Sequence, residues 1–461
     1  MRGPHISRPS SVPPARTGRD GRQALFARAP ISWGQLLGVL LVGVTIVYVL
    51  IAALSPGYVA DIGTNKTWGR WIAREGIYSA YRIPTDYPPV LLYCFAAAGW
   101  LYQRMMDVSF NERAAVASQF YTFLIKLPGI VCHPLIAVVI YRVTRQYGAR
   151  LAFAAAALYA LNPAAAYDVA HLGQTDPVHA LFALLAMAAL VHGRPMWAGA
   201  FIALAALTKP QAWLLLPVVG MALIFWYGWR GAVRGTLGGL VATFLVLLPW
   251  TLTNRLHHAA RFFEALETKS VNSVALTAQA HNLWWVPTLL EWRFIEDSEQ
   301  FLGPVPYRVV ALAMVALLAF VVVARLPNLR PRDSLYGLVG ALTVGWFVLT
   351  VRAHENHLFM AIPFLTVAWA LDRRIGVVLG LVSASLLLNV ALHDPLLMDN
   401  YAAGPDPGQP LPAWVILLQI VNVLMILAAC GLALAQILGP KADQGWLRRF
   451  SLRPRPAGSV R

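Results

Sequence analysis

Residues 33–54 read WGQLLGVLLVGVTIVYVLIAAL, twenty-two residues without one charge. At 1.5 Å per residue a helix of that length matches the hydrocarbon thickness of a bilayer, about 30 Å. The run is longer than a typical signal-peptide core, so it predicts a retained anchor, despite a weak cleavage look-alike at Ala53-Leu54-Ser55. Similar runs recur at 88–104, 113–127, 129–145, 150–164, 177–192, 196–208, 211–228, 234–253, 306–324, 335–351, 357–371, 375–392 and 413–438. Several are short for a full crossing, and the predicted fold is an all-α polytopic membrane protein with about 12–14 transmembrane helices.

Composition agrees: 58% of the 461 residues are hydrophobic and only 13% are charged, about half the charge of an ordinary soluble domain. The net charge of +16 is concentrated at the ends. The first 32 residues hold Arg2, Arg8, Arg16, Arg19, Arg22 and Arg28, and the segment 439–461 holds Lys441, Arg448, Arg449, Arg453, Arg455 and Arg461. Both segments are rich in Pro, Ser and Gly and read as disordered tails beside anionic lipid, with no nucleic-acid partner. Cys94, Cys132 and Cys430 fall in apolar runs and offer neither a disulfide framework nor metal-ligand spacing.

Threading fourteen runs from the inside puts both tails in the cytoplasm, together with the basic stretches 142–150, 230–234, 325–332 and 373–374. Acidic residues gather on the other face, as orientation by Lys and Arg requires. The transmembrane domain then spans 33–438, and its outer face owns two long loops, 55–87 and 254–305. Amphipathic helix is expected in the first of these, from Trp68, Trp71 and Ile72. The outer face also owns the short polar clusters that interrupt apolar runs, so any chemistry is expected there.

Asp61, just beyond the first span, reads as a general base whose pKa desolvation would raise, with Trp68, Trp71, Ile72 and Tyr58 keeping water away; it reads equally as a helix N-cap. Asp86-Tyr87-Pro88-Pro89 is a rigid turn or a ligand contact. Gly173-Gln174-Thr175-Asp176 and Thr208-Lys209-Pro210-Gln211 open outward between short helices, and broken helices at membrane depth are tolerated where they line a cavity. Lys126 and Lys209 could each meet a phosphate, or Lys209 could snorkel to the interface. Arg352-Ala-His354-Glu355-Asn-His357 packs cations and a carboxylate between apolar runs: a phosphate site, a weak metal site or a solvated turn.

These pieces together resemble the GT-C superfamily of polyprenyl-phosphate-sugar-dependent glycosyltransferases, closest in look to its bacterial mannosyltransferase-like members. The resemblance rests on Asp61 in the first outer loop, Tyr87-Pro88-Pro89, Lys126-Leu127-Pro128, Asn162-Pro163 followed by Gly173–Asp176, Thr208–Gln211, and His354-Glu355-Asn356-His357-Leu358. Endoplasmic-reticulum glucosyltransferases that use dolichol-phosphate-glucose carry a similar His-Glu-Lys. Two positions depart from the pattern: Cys132-His133 stands where Ala-Asp is usual, and Asn356-His357 replaces Arg-Tyr.

The resemblance implies a GT-C-type helical bundle in an inner (plasma) membrane, active on its outer, periplasmic face. It implies transfer of a hexose, mannose favoured, from a polyprenyl-phosphate donor to an acceptor hydroxyl on a lipid or glycan, with inversion. Asp61 would be the catalytic base. Lys126, Gln174, Asp176, Lys209, Gln211, Arg352, His354, Glu355 and His357 would bind the donor phosphate or substrate, with Asp86 and Tyr87 as further candidates. No metal or cofactor is expected, since the phosphate already leaves well and fixed cations would meet its charge. The competing reading is a transporter or flippase for a lipid-linked or anionic substrate, which would expect repeat symmetry; a third is a non-catalytic partner in an envelope-assembly complex.

Overall fold

The structure, a computed structural model, describes residues 31–106, 109–272, 274–398 and 411–438; the two basic tails of the sequence reading fall on residues outside these, apart from 31–32. Among the described residues it is a bundle of α-helices with one two-stranded hairpin, β1 (Gln300–Leu302) and β2 (Val305–Pro306). The long helices include α1 (Trp33–Leu54), α5 (Gln119–Thr144), α10 (Leu216–Leu252), α13 (Tyr307–Arg325), α16 (Ile375–Leu392) and α18 (Ala413–Leu438). Among the described residues six helical segments, one built on each of these, are long and apolar enough to cross a membrane. Shorter apolar helices run between them: α6 (Ala149–Ala160), α8 (Asp176–Val191), α9 (Pro195–Ala206), α14 (Leu335–Leu349) and α15 (Ala361–Leu371). This is an all-α, multi-pass membrane protein.

Contacts between distant segments define two ends of the bundle. At the upper end, where α1 finishes, Gln119 donates to the Ser55 carbonyl (2.7 Å), Tyr58 N–H to Leu172 (2.8 Å), and the Asn282 amide to Thr350 (3.0 Å). At the lower end Trp226 Nε1 donates to the Leu326 carbonyl (2.9 Å), Tyr147 OH to Asp333, and Arg332 to Tyr227 OH (3.0 Å). Between these levels the described chain makes twelve traverses: α1, α5, α6 continued by the short α7 (Pro163–Ala166), α8, α9, the two arms of α10, α13, α14, α15, α16 and α18. Gly228 (φ +64°) turns the chain back within α10, so that Gly235 packs against Leu223. The apolar runs 211–228 and 234–253 are therefore separate arms, as their sequence suggests.

Three of the fourteen predicted runs do not cross by themselves. The run 88–104 forms α3 (Pro89–Met105), which stays at the upper end: Val90 N–H donates to Leu207, and Tyr102 stacks on Tyr121 at 4.8 Å. It packs along the expected amphipathic helix α2 (Val59–Glu75), where a Cβ on Gly99 would lie 2.4 Å from the Gly69 carbonyl. The runs 113–127 and 129–145 instead share one traverse, because Pro128 lies inside α5 without ending it. A missing backbone donor inside a packed transmembrane helix is tolerated when neighbours re-satisfy the freed groups. Removing one crossing and merging two others leaves the start of α1 and the end of α18 at the same end of the bundle, while segment 109–118, with α4 (Glu112–Ala117), lies at the upper end instead of the lower.

Lys126 explains how this corner holds. Its fully buried ammonium donates to the carbonyls of Ser55 (2.9 Å), Ala170 (3.2 Å) and His171 (2.9 Å). These are terminal carbonyls of α1 and of the π-turn Tyr167–Leu172, which lack partners within their own helices and carry the negative end of the helix dipole. The left-handed glycines Gly57 (φ +76°) and Gly173 (φ +82°) leave room for the stem: a Cβ would meet Lys126 carbons at 3.0 and 2.8 Å.

Lys126→Met keeps the stem but removes three charged hydrogen bonds at once. The Ser55 and His171 carbonyls keep Gln119 and the Ser55 hydroxyl (2.7 Å each), while Ala170 O loses its ammonium donor. A buried group left unpaired costs roughly 1–3 kcal/mol. A clear drop in the Tm of the detergent-purified protein is expected; an unchanged Tm would contradict the brace. In a background with Cys94, Cys132 and Cys430 replaced by Ala, single cysteines at 112 and 296 should react with an impermeant thiol reagent from one side of the membrane. Cysteines at 145 and 374 should react from the other. Reaction of 112 together with 374 would restore a crossing to α3.

Candidate active site

Five segments far apart in sequence bring candidate residues to a cavity of about 500 Å³ at the upper end, which Leu266, Ala275 and Ala278 of the loop 254–305 also line. The first turn of α2 brings Asp61, and the loop into α3 brings Asp86 and Tyr87. The break before α8 brings Gln174, the break after α9 brings Lys209 and Gln211, and the loop between α14 and α15 brings Arg352, His354, Glu355 and His357. Ten of the twelve candidate residues thus line one cavity. Lys126 lies away from it as the brace just described, and Asp176 lies behind its wall.

Asp61 is not a helix cap. The N-cap of α2 is Tyr58, which makes no side-chain capping bond, and Asp61 sits inside the first turn. Its half-buried carboxylate accepts a hydrogen bond from Gln174 Nε2 at 2.8 Å. The expectation that Trp68 and Trp71 screen Asp61 is not met. Their indoles are committed elsewhere, Trp68 to the Pro84 carbonyl (3.1 Å) and Trp71 to that of Ser79 (3.2 Å), and neither lines the cavity.

Lys209 does not snorkel. It is 2% exposed and turns inward, where its Nζ lies 3.0 Å from Asp176 Oδ2 and 5.7 Å from the centre of the Tyr87 ring. Asp176, 1% exposed, also accepts from Asn356 Nδ2 at 3.1 Å. The pair therefore ties the two predicted helix breaks to each other and to the His-Glu motif. Tyr87 is held in turn by edge contact with Trp68 (5.4 Å) and stacking on Phe95 (6.3 Å).

The late motif is clamped by the long upper loop. Arg352, in the left-handed region at φ +58°, makes a forked pair with buried Asp297 at 2.5 and 3.0 Å. Its N–H donates to Leu276 O (3.0 Å), and Ala278 N–H donates to Ala353 O (3.0 Å). A non-glycine residue in this conformation persists only where its surroundings over-determine it. His354 N–H donates to His357 Nδ1 (3.2 Å), and His357 stacks on Trp346 (5.6 Å). Glu355 is 5% exposed; burial, followed by the negative charge of Asp61, pushes its carboxyl up to about 8. Gln211 adds a buried side-chain oxygen, Oε1, without a protein partner.

Asp297, Asn356 and Trp346 were not predicted as site residues. Asp297 sits among Glu291, Glu296 and Glu299, and nothing local separates it from them. Asn356 stood out only as a departure from a familiar motif, and Trp346 reads as one more apolar residue of its run.

Chemically, the cavity sets carboxyl groups beside a group of cationic and imidazole side chains, with amide oxygens between them. That inventory suits a polar, anionic substrate with hydroxyl groups. No curated protein matches the chain. Residues 85–353 match glycosyltransferase family 87, a stretch that takes in Lys126, Gln174, Asp176, Lys209, Gln211 and Arg352 and stops one residue before His354. The match covers more than half of the sequence, and its boundaries enclose four of the five segments that bring candidate residues to the cavity, at least in part. This chain belongs to glycosyltransferase family 87.

Proposed function

We propose that this membrane glycosyltransferase moves a hexose, mannose favoured, from a polyprenyl-phosphate donor to a hydroxyl group of a lipid or glycan acceptor. The reaction takes place on the outer face of the inner (plasma) membrane. The observation that carries the reading is the convergence on one upper cavity of Asp61, Gln174, Lys209 and the 352–357 motif, from segments that share nothing in sequence. The transport alternative draws no support from the bundle interior, where Leu338, Leu342, Phe347, Phe364 and Leu365 of α14 and α15 are buried and apolar.

In the proposed reaction Asp61 takes the proton of the acceptor hydroxyl, and the oxygen attacks the anomeric carbon from the side opposite the phosphate. The new C–O bond forms as the old one breaks; the phosphate leaves with the bonding electrons, and the anomeric configuration inverts. Gln174, bonded to Asp61, orients the base. Lys209, Arg352 and His354 meet the charge that develops on the leaving phosphate, and positioned cations serve there without an added metal. Gln211 Oε1 is an acceptor for a sugar hydroxyl. Glu355, carrying a proton at neutral pH, donates a hydrogen bond to the donor instead of repelling its phosphate.

Asp61→Asn is nearly isosteric and retains an oxygen facing Gln174. With the base removed, kcat should fall by about 10²–10⁴-fold while donor affinity is kept. Near wild-type transfer by this variant would remove Asp61 from the role and pass it to Asp86.

The raised Glu355 carboxyl sets a pH dependence. Below about 8 it is neutral; above, it ionises beside Asp61 and faces the donor phosphate. Donor KM should therefore rise as pH passes upward through about 8, and Glu355→Gln should flatten that limb. An alkaline limb of the same size in Glu355→Gln would assign it to another group.

A further inference from the structure

A second cavity, of about 610 Å³, shares no residue with the first. Its walls come from α6 (Ala154, Ala157, Leu158), from the break between α6 and α7 (Leu161, Asn162, Pro163), from Trp369 on α15 and from α16 (Gly376, Leu379, Gly380, Ser383). It exists because the traverse 149–172 breaks at Leu161-Asn162, offsetting α7 from α6, and because the facing side chains are small. Its volume is in the range of small-molecule pockets, roughly 300–1,000 Å³.

The polar atoms at its deep end are already satisfied. Asn162 Oδ1 accepts from the N–H groups of Ala164 (3.0 Å) and Ala165 (3.3 Å), and its Nδ2 donates to Ser383 Oγ (2.8 Å). The interior therefore presents hydrocarbon and suits an alkyl chain better than a sugar or a peptide. The mouth is different. Arg150 stands one turn before Ala154 on α6, on the same face, and is exposed. Arg373 is also exposed, and its guanidinium lies 3.9 Å from the ring centre of Trp369, three residues before Gly376. Of the nearby acids, Asp372 is paired with Arg374 (2.8 Å), and Asp333 accepts from Tyr147 OH but keeps its charge. Against that one carboxylate, Arg150 and Arg373 leave the mouth net positive.

We infer that this groove, at the end of the bundle opposite the catalytic cavity, is a binding site for one anionic phospholipid, with an acyl chain along α6 and α16 and its phosphate between Arg150 and Arg373. Charge complementarity selects this occupant. Basic pockets between transmembrane helices bind acidic lipid head groups, and Trp at the same level is the usual interfacial anchor. The site does not depend on the identity of the sugar donor.

The test is native mass spectrometry of the full chain released from nanodiscs made of equal parts phosphatidylglycerol and phosphatidylcholine. The wild type should retain phosphatidylglycerol with a preference of roughly five- to thirty-fold, the size expected for two arginines near a head group. Arg150→Gln with Arg373→Gln should abolish the preference. Gly380→Leu should lower the retention of both lipids by filling the groove; a Cβ there meets nothing within 4 Å, so the helix accepts the side chain. The inference is overturned if the wild type shows no preference, if the double variant keeps it, or if Gly380→Leu retains as much lipid as the wild type. Displacement of the bound lipid by added polyprenyl phosphate would also overturn it, by giving the groove to the donor.

Discussion

The pair of Lys209 and Asp176, both almost fully buried at the meeting of two broken helices, is the contact on which the upper half of the molecule depends. Removing either partner would leave a charge in a medium that solvates it poorly, a cost of several kcal/mol. The pair is therefore weak evidence for raw stability but strong evidence for a specified arrangement. Asp176 begins α8 and Lys209 follows α9, so their contact joins the start of α8 to the end of α9. Asn356 joins the same carboxylate oxygen and brings in the loop between α14 and α15. The cavity lies where these interruptions leave room.

Lys126 performs the same kind of work one layer away. Its ammonium meets carbonyl oxygens at the ends of α1 and of the π-turn, where the helix has no further N–H groups to donate to them. Because α1 ends there, the start of α2 is placed too, and with it Asp61. A lysine outside the cavity thus determines where a carboxylate inside it stands. Both lysines were candidates for phosphate contact and both are buried, but their partners differ: Lys126 is consumed by backbone carbonyls, whereas Lys209 pairs with one carboxylate and lines the cavity.

Strain and clamping concentrate where five segments converge. Arg352 sits at a positive φ because Leu276 and Ala278 hold the backbone on either side while Asp297 holds its guanidinium. The loop 254–305 therefore does more than cover the bundle. It sets the angle at which the late motif enters the site, a function that its sequence of scattered charges and aromatics does not announce.

Hydrophobic length alone determined the class of this protein, since a chain with so many apolar runs and so few charges has only a bilayer as a compatible solvent. The positions of the charges further determined which connections lie together, and Lys126, Gln174, Lys209 and Arg352 each mark a point where an apolar run is interrupted by a group needing a partner. The tertiary structure decided what hydropathy cannot express. Whether the run 88–104 crosses or lies against α2 depends on Gly69 and Gly99 letting two backbones touch. Whether Pro128 ends a helix depends on the neighbours around it, and whether Asp61 caps α2 or faces a cavity depends on the N-cap falling at Tyr58, three residues earlier. Partner choice for Asp297 and Asn356 is likewise a matter of long-range geometry, because a carboxylate or an amide looks the same in sequence whatever it meets across the bundle.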